Sequence, residues 1–398
     1  LVRWLHIIAG IAWIGSSFYF VWLDNSLEPL SEREPPDPRV AGELWAVHGG
    51  GFYRARKYRV APEVLPPRLH WFYWEAYTTW LSGFGLLCLL YFLRAEGYLI
   101  DPAVLGLSKA AAIVLALGAI VVSWLVYDGL CRALDQKPRA LAASVAIVTA
   151  VEAWALCQLF SGRGAFMVFG AALGSIMVAN VLLVIIPGQR ELVRAKQEGR
   201  EPDPGPGLRG KQRSVHNTYF TLPVLFVMIS NHYAMTYGAR YNWLVLVAMS
   251  FAGACIRGWF VARQKPEGRR SVVAALPAML GVASVVGLVV ALAPPGGAPA
   301  AGPGAPSLGS TGIDSQVQAI VAQRCVPCHS ANPRLLGLTA PPNGVSLETL
   351  DQVRAHLPEV RQQVSLRAMP LGNLTGMTDN ERATVLMWIG HGAAGRTP

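Results

Sequence analysis

Apolar residues fall into eight long blocks, near 3–23, 71–93, 107–127, 140–160, 165–187, 216–234, 241–262 and 272–293. A helix needs about 20 residues to cross the hydrocarbon core of a bilayer, so each block predicts a membrane-spanning helix. Pro223 and Pro277 fall inside the sixth and eighth blocks, where a membrane helix accepts proline with a kink. Residues 294–312 read PPGGAPAAGPGAPSLGSTG, a linker composition that cannot pack a core. Beyond it the chain turns polar and keeps only short stretches of helical periodicity. The expected fold class is therefore all-α. An eight-helix transmembrane bundle over 1–293 is followed by a linker over 294–312 and a small helical domain over 313–398.

Composition agrees with this pattern. The chain is 53% hydrophobic and only 15% charged, against about 25% charged in an ordinary soluble domain. Disorder is excluded and a plain cytosolic globule is disfavoured. The net charge of +10 would suit nucleic acid, but its distribution assigns it to topology instead, and no nucleic-acid partner is expected. Lys and Arg crowd the odd-numbered loops, with seven in 24–70 and seven in 188–215. Basic loops stay on the cytoplasmic side. Both termini then lie outside, which predicts a bacterial cytoplasmic membrane protein with its C-terminal domain in the periplasm and the lipid bilayer as a partner.

Of the six cysteines, Cys88, Cys131, Cys157 and Cys255 are scattered, and only Cys325 and Cys328 are neighbours. The run Cys325-Val-Pro-Cys328-His329 has the C-x-x-C-H spacing of c-type haem attachment. The two thiols add to the two vinyl groups on one porphyrin edge, and the adjacent histidine ligates the iron. Met369, in RAMPLGN, supplies the second axial ligand from a loop on the other face. Met377 and Met387 suit packing. Thr378-Asp-Asn-Glu381 has the spacing of a capping box opening the last helix. Zinc would need a second ligand pair, and a redox dithiol a βαβ setting. The segment resembles the mono-haem class I cytochromes c over its whole length.

A tethered cytochrome needs a source of electrons. His6 and His232 fall near the outer face and are either candidate ligands of a b-type haem or interfacial histidines satisfied by lipid headgroups or backbone. Glu75, Glu152 and Asn180 lie inside apolar blocks, where polar groups are functional candidates or interhelical glue. The long first loop contains His48-Gly-Gly-Gly-Phe-Tyr-Arg54-Ala-Arg56-Lys-Tyr. Glycines, arginines and aromatics in that order suit a flat anionic heterocycle, and the charges equally suit a loop that only sets topology.

At these residues the chain resembles the membrane-bound, cytochrome-c-linked urate oxidase family. The likeness is carried by WLHIIAGIAWIGSSFYFVWLDNSL (4–27), HGGGFYRARKY (48–58), LPPRLHWFYWEAYTTWLSGFGLL (65–87), RSVHNTYFTLPVLFVMISNHY (213–233) and the two haem-domain motifs. It implies oxidation of urate to 5-hydroxyisourate, with water as the oxygen source and electrons passing through haem c to a respiratory cytochrome c or terminal oxidase. Arg54 or Arg56 would then bind a urate oxyanion, and His48, His70 or His216 would act as the base. Two further readings are a quinol or other-substrate dehydrogenase with a tethered cytochrome, and a non-enzymatic membrane-anchored electron carrier. No P-loop or dinucleotide glycine fingerprint is present.

Overall fold

The structure, a computed structural model, describes residues 1–31, 37–264, 275–292, 310–335, 338 and 340–392. It is mostly helical. Each apolar block carries a helix: α1 (Val2–Asn25), α2 (Trp74–Leu87, continued by a π-helical turn over Cys88–Phe92), α4 (Lys109–Ala133), α5 (Pro138–Leu159), α6 (Gly162–Ala179), α8 (Pro204–Ser230), α10 (Asn242–Gln264) and α11 (Leu276–Leu292). Short helices α3 (Ala95–Tyr98) and α9 (Ala234–Tyr237) cap one end of the bundle. Among the described residues, five helices are long and apolar enough to cross a membrane: α1, α4, α5, α10 and the continuous Gly162–Gln197. Helix α11 is shorter at 17 residues. Large apolar side chains such as Ile11, Val114, Leu125, Ile147 and Val290 face outward, a surface suited to lipid and not to water.

The boundaries depart from the apolar pattern in two places. A π-helical turn over Asn180–Ile185 joins α6 to α7 (Ile186–Gln197), and α8 begins at Pro204. Much of the expected loop 188–215 is thus polar helix. Asp203 caps α8 by accepting from the Gly205 N–H at 2.9 Å, and Pro204 stands where no N–H is needed. Pro277 sits in the first turn of α11, not in its interior.

The all-α expectation needs a correction in the first loop. Val40–His48 (β1) and Gly51–Tyr58 (β2) form an antiparallel hairpin. Gly49 and Gly50 make its two-residue turn at φ +57° and +80°, a conformation that glycine reaches without strain. The glycine run therefore builds a turn, and its flanks alternate because they are strands.

Helix α6 is the bundle's axis. Phe166, Phe169, Val168 and Leu173 are fully buried among α2, α4, α5 and α8. Small residues permit close approach. A Cβ on Gly170 would come within 2.6 Å of Val227 on α8, the close contact by which membrane helices pack.

The C-terminal unit has its own core of Val317, Val321, Val353, Met377, Val385 and Trp388. It is built from α12 (Ser310–Arg324), α13 (Leu350–Ala355), α14 (Leu357–Ser365) and α15 (Asp379–Gly392). The linker lies outside the described residues as far as 309. Met387 does not pack as expected; it is exposed. The loop after α14 rests on the bundle end that carries α3 and α9, the end opposite the hairpin. A Cβ on Gly238 would fall 2.0 Å from the Leu366 carbonyl oxygen, and one on Gly372 would fall 2.7 Å from that of Gly97.

Candidate functional site

The sequence-derived candidates separate in space. His48 ends β1 beside the turn and is exposed. His70 is exposed, its ring edge-on to Phe72 at 4.6 Å. Arg54 and Arg56 both donate to the buried Glu43 carboxylate, with Arg54 Nε at 2.9 Å and Arg56 Nη2 at 3.2 Å. Arg54 also lies over the Trp45 ring. Their charge is partly spent on holding the hairpin together.

His216 alone of these candidates enters the bundle. Its Nδ1 is 2.8 Å from Tyr127 Oη on α4 and 3.8 Å from Cys131 Sγ. Tyr127 Oη also accepts from Asn180 Nδ2 at 3.1 Å, and Asn180 donates to Asn217 Oδ1 at 2.8 Å. Asn217 in turn donates to the Met177 carbonyl. Asn180 begins the π-helical turn, which opens the backbone ladder beside this cluster. Arg213, one turn before Asn217, pairs with Asp128 at 2.7 Å and covers the Tyr127 ring at 5.1 Å. For His216 to take a proton at Nε2, Nδ1 must carry hydrogen and donate to Tyr127. Two buried atoms in the cluster have no hydrogen-bond partner, Arg213 Nη1 and Asn180 Oδ1. Buried polar atoms are almost always paired, so a donor and an acceptor left open in one cluster mark a place for a polar ligand.

The sequence pattern did not single out Tyr127, Asp128, Asn217 or Arg213 for chemistry. The available signal was the spacing of Arg213, His216, Asn217 and Phe220, which share one face of a helix. It was obscured because Arg213 and His216 lie where an apolar block meets a basic loop.

At the other end of the bundle, a cavity of about 930 Å³ opens between the helices and the C-terminal unit. Arg163 lies there between the Tyr98 and Tyr237 rings and donates to Tyr237 Oη at 2.7 Å. Asp101 is on the cavity wall, and burial raises its carboxyl above the ordinary value.

In the C-terminal unit, α12 ends directly before Cys325. The turn is closed by the His329 N–H donating to the Cys325 carbonyl at 2.9 Å. Neither cysteine is in a disulfide, and burial pushes the Cys325 thiol up to about 11. His329 Nδ1 donates to the Val345 carbonyl at 2.9 Å, which leaves Nε2 free to ligate a metal. The half-buried Met369 has its carbonyl held by the buried Arg382 at 2.6 Å, and Arg382 also donates to Asn373. Met377 is core. Two thiols, an oriented imidazole and a braced methionine fit a covalently held haem. Among the described residues, no group of three or more His, Cys, Asp or Glu stands ready for a bare metal ion. His6 Nδ1 donates to the Thr79 carbonyl at 3.0 Å, leaving its Nε2 open, and its ring lies against Gly83. His232 is exposed beyond α8, and no described hydrogen bond or ring contact joins it to His6.

The model of the urate oxidase N-terminal family matches residues 1–291. No curated protein and no solved structure matches the chain. The match takes in the whole helical bundle with its hairpin, including His216, Arg213, Tyr127 and Asn180, and by it the chain belongs to the urate oxidase N-terminal family.

Proposed function

We propose that the protein is a membrane-bound urate oxidase that crosses the bacterial cytoplasmic membrane eight times and delivers electrons to a periplasmic haem c in its own C-terminal unit. The observation that carries the reading is the family match over 1–291. The thiols of Cys325 and Cys328, with His329 and Met369, support the cofactor. When bound, haem c accepts one electron at a time and passes it to a respiratory cytochrome c or terminal oxidase.

The chemistry balances as follows. The urate monoanion and one water yield neutral 5-hydroxyisourate, one proton and two electrons. The water oxygen forms the new C–O bond at C5, and its proton leaves to a base. His216 is the base in this reading. Tyr127 holds its Nδ1 and leaves Nε2 as the atom that takes the proton. Asp128 and Asn180 position Arg213 and Tyr127. Because urate yields two electrons and haem c takes one, a second centre is useful, and His6 with its open Nε2 is the residue to hold a b-type haem. Fully active protein free of protohaem would remove that centre.

The test is anaerobic. Urate is added to the oxidised full-length protein and the reduced α-band of haem c is followed. Reduction at the turnover rate is expected, and His216→Ala should abolish it while His48→Ala and His70→Ala retain it. Haem that dithionite reduces and urate does not would overturn the reading and favour a quinol dehydrogenase or a carrier.

A further inference from the structure

The geometry points to Arg257 as the residue that grips the anionic substrate, with one face of α10 as the path to it; this inference rests on the urate reading above. Arg257 lies in the apolar run of α10 and is only 3% exposed. Its guanidinium stands 3.8 Å from the centre of the Phe18 ring on α1. Nε and Nη2 are buried without a hydrogen-bond partner, and none of the described carboxylates pairs with it. The other two arginines buried to this degree each hold a hydrogen-bonded partner. Arg213 has Asp128, and Arg382 has the Met369 carbonyl and Asn373.

A guanidinium does not shed its proton in a protein, so it cannot escape burial by becoming neutral. An unpaired charge in a membrane bundle costs several kcal/mol and faces a functional cavity as a rule. The Phe18 ring lies against the guanidinium. The open donors lie in the guanidinium plane. Nε–H and Nη2–H together form the side-on fork that matches two acceptor atoms on the edge of a planar anion. Urate is planar, anionic and edged with carbonyl oxygens and ring nitrogens.

Two more orphans lie on the same helix face. Ser250 Oγ and Gln264 Oε1 are also buried without partners. They stand seven residues before and seven after Arg257, two helical turns in each direction. Gln264 is at the end of α10 nearest the basic loops, so the stripe runs from that edge inward. Tyr219 of α8 borders the site, since a Cβ on Gly258 would lie 3.6 Å from its ring. Tyr219 follows His216 by three residues, on the same side of α8. Tyr219 therefore stands one turn after His216 on α8 and reaches Gly258, the neighbour of Arg257 on α10.

The test uses oxidised, anaerobic full-length protein and two readouts: urate-dependent thermal stabilisation, and the KM and kcat of haem c reduction. In Arg257→Leu, the urate concentration giving half-maximal stabilisation, and KM with it, should rise at least ~30-fold, as when one partner of a buried charge pair is removed. Its ligand-free unfolding temperature should be unchanged or higher, because a buried unpaired charge is gone. Arg257→Lys should recover only part of the affinity, having lost the fork. Gln264→Leu should raise KM with kcat kept. Urate affinity of Arg257→Leu within about threefold of wild type, or a lower ligand-free unfolding temperature with affinity kept, would sink the inference alone. A wild type indifferent to urate in both readouts would sink the urate reading and this inference together.

Discussion

Glu381 makes the C-terminal unit quantitatively testable. Its Oε2 accepts from the Thr378 N–H at 2.7 Å, while Thr378 Oγ1 accepts from the Glu381 N–H at 3.2 Å. This is a complete capping box at the start of α15. Its Oε1 accepts from Arg324 Nη2 at 2.9 Å, and Arg324, the last residue of α12, immediately precedes Cys325. One carboxylate thus ties the cap of α15 to the Cys325–His329 turn. The pair is about one-fifth exposed on each side, so the ion pair contributes up to about 1 kcal/mol. The reach-back to the cap contributes about 0.5–1 kcal/mol more. Glu381→Ala should therefore speed amide exchange in α12 and α15 by roughly 5–30-fold, the factor that corresponds to one to two kcal/mol. Glu381→Gln keeps the reach-back and should lose about half of that free energy. Burial pushes the Glu381 carboxyl up, but the Thr378 and Arg324 contacts outweigh it and hold the group below its ordinary value of 4.5. A depressed folded value means the contribution is present above the unfolded value and is lost as pH falls through the folded one. Acid should weaken wild-type protection in α12 and α15 and leave this component flat in Glu381→Gln. Hydrogen-exchange mass spectrometry of the full chain reads both effects. Exchange in Glu381→Ala within twofold of wild type in both helices would refute the reasoning.

Met369→Ala should leave haem attached through Cys325 and Cys328 while changing its absorption spectrum and potential; unaltered optical and redox titrations would assign the axial role elsewhere. Asp128→Asn leaves Arg213 buried without its counter-ion, and loss of one partner costs about 3–5 kcal/mol. A lower unfolding temperature and weaker urate reduction of haem are expected, and an unperturbed melt would refute the dependence of buried Arg213 on Asp128. Gly170→Ala drives a methyl into the stiff, fully buried Val227, so it should destabilise the bundle by about 1–3 kcal/mol, and an unchanged thermal melt in detergent would show that α6 and α8 yield there.

The Thr378–Glu381 cap, the helix ending at Cys325 and the helices over all eight apolar blocks were legible because each depends on neighbours within a few residues. The hairpin was equally local, with two glycines at the turn and alternating flanks, but its basic residues drew attention to charge and away from periodicity. Arg54 and Arg56 looked like open anion donors because Glu43, eleven and thirteen residues away, meets them only when the strands pair.

Hydrophobic blocks and a C-x-x-C-H turn are written in one dimension, and the sequence by itself determined where the helices of the bundle lie and what cofactor to propose. It could not decide which polar residue within an apolar block keeps an unpaired atom, because that depends on what the other helices bring. Arg213 and Arg257 look alike in sequence, both near the end of an apolar run. Tertiary structure gives one an aspartate from α4 and gives the other only the face of Phe18. In a low-dielectric bundle that difference separates a braced ion pair from an open fork.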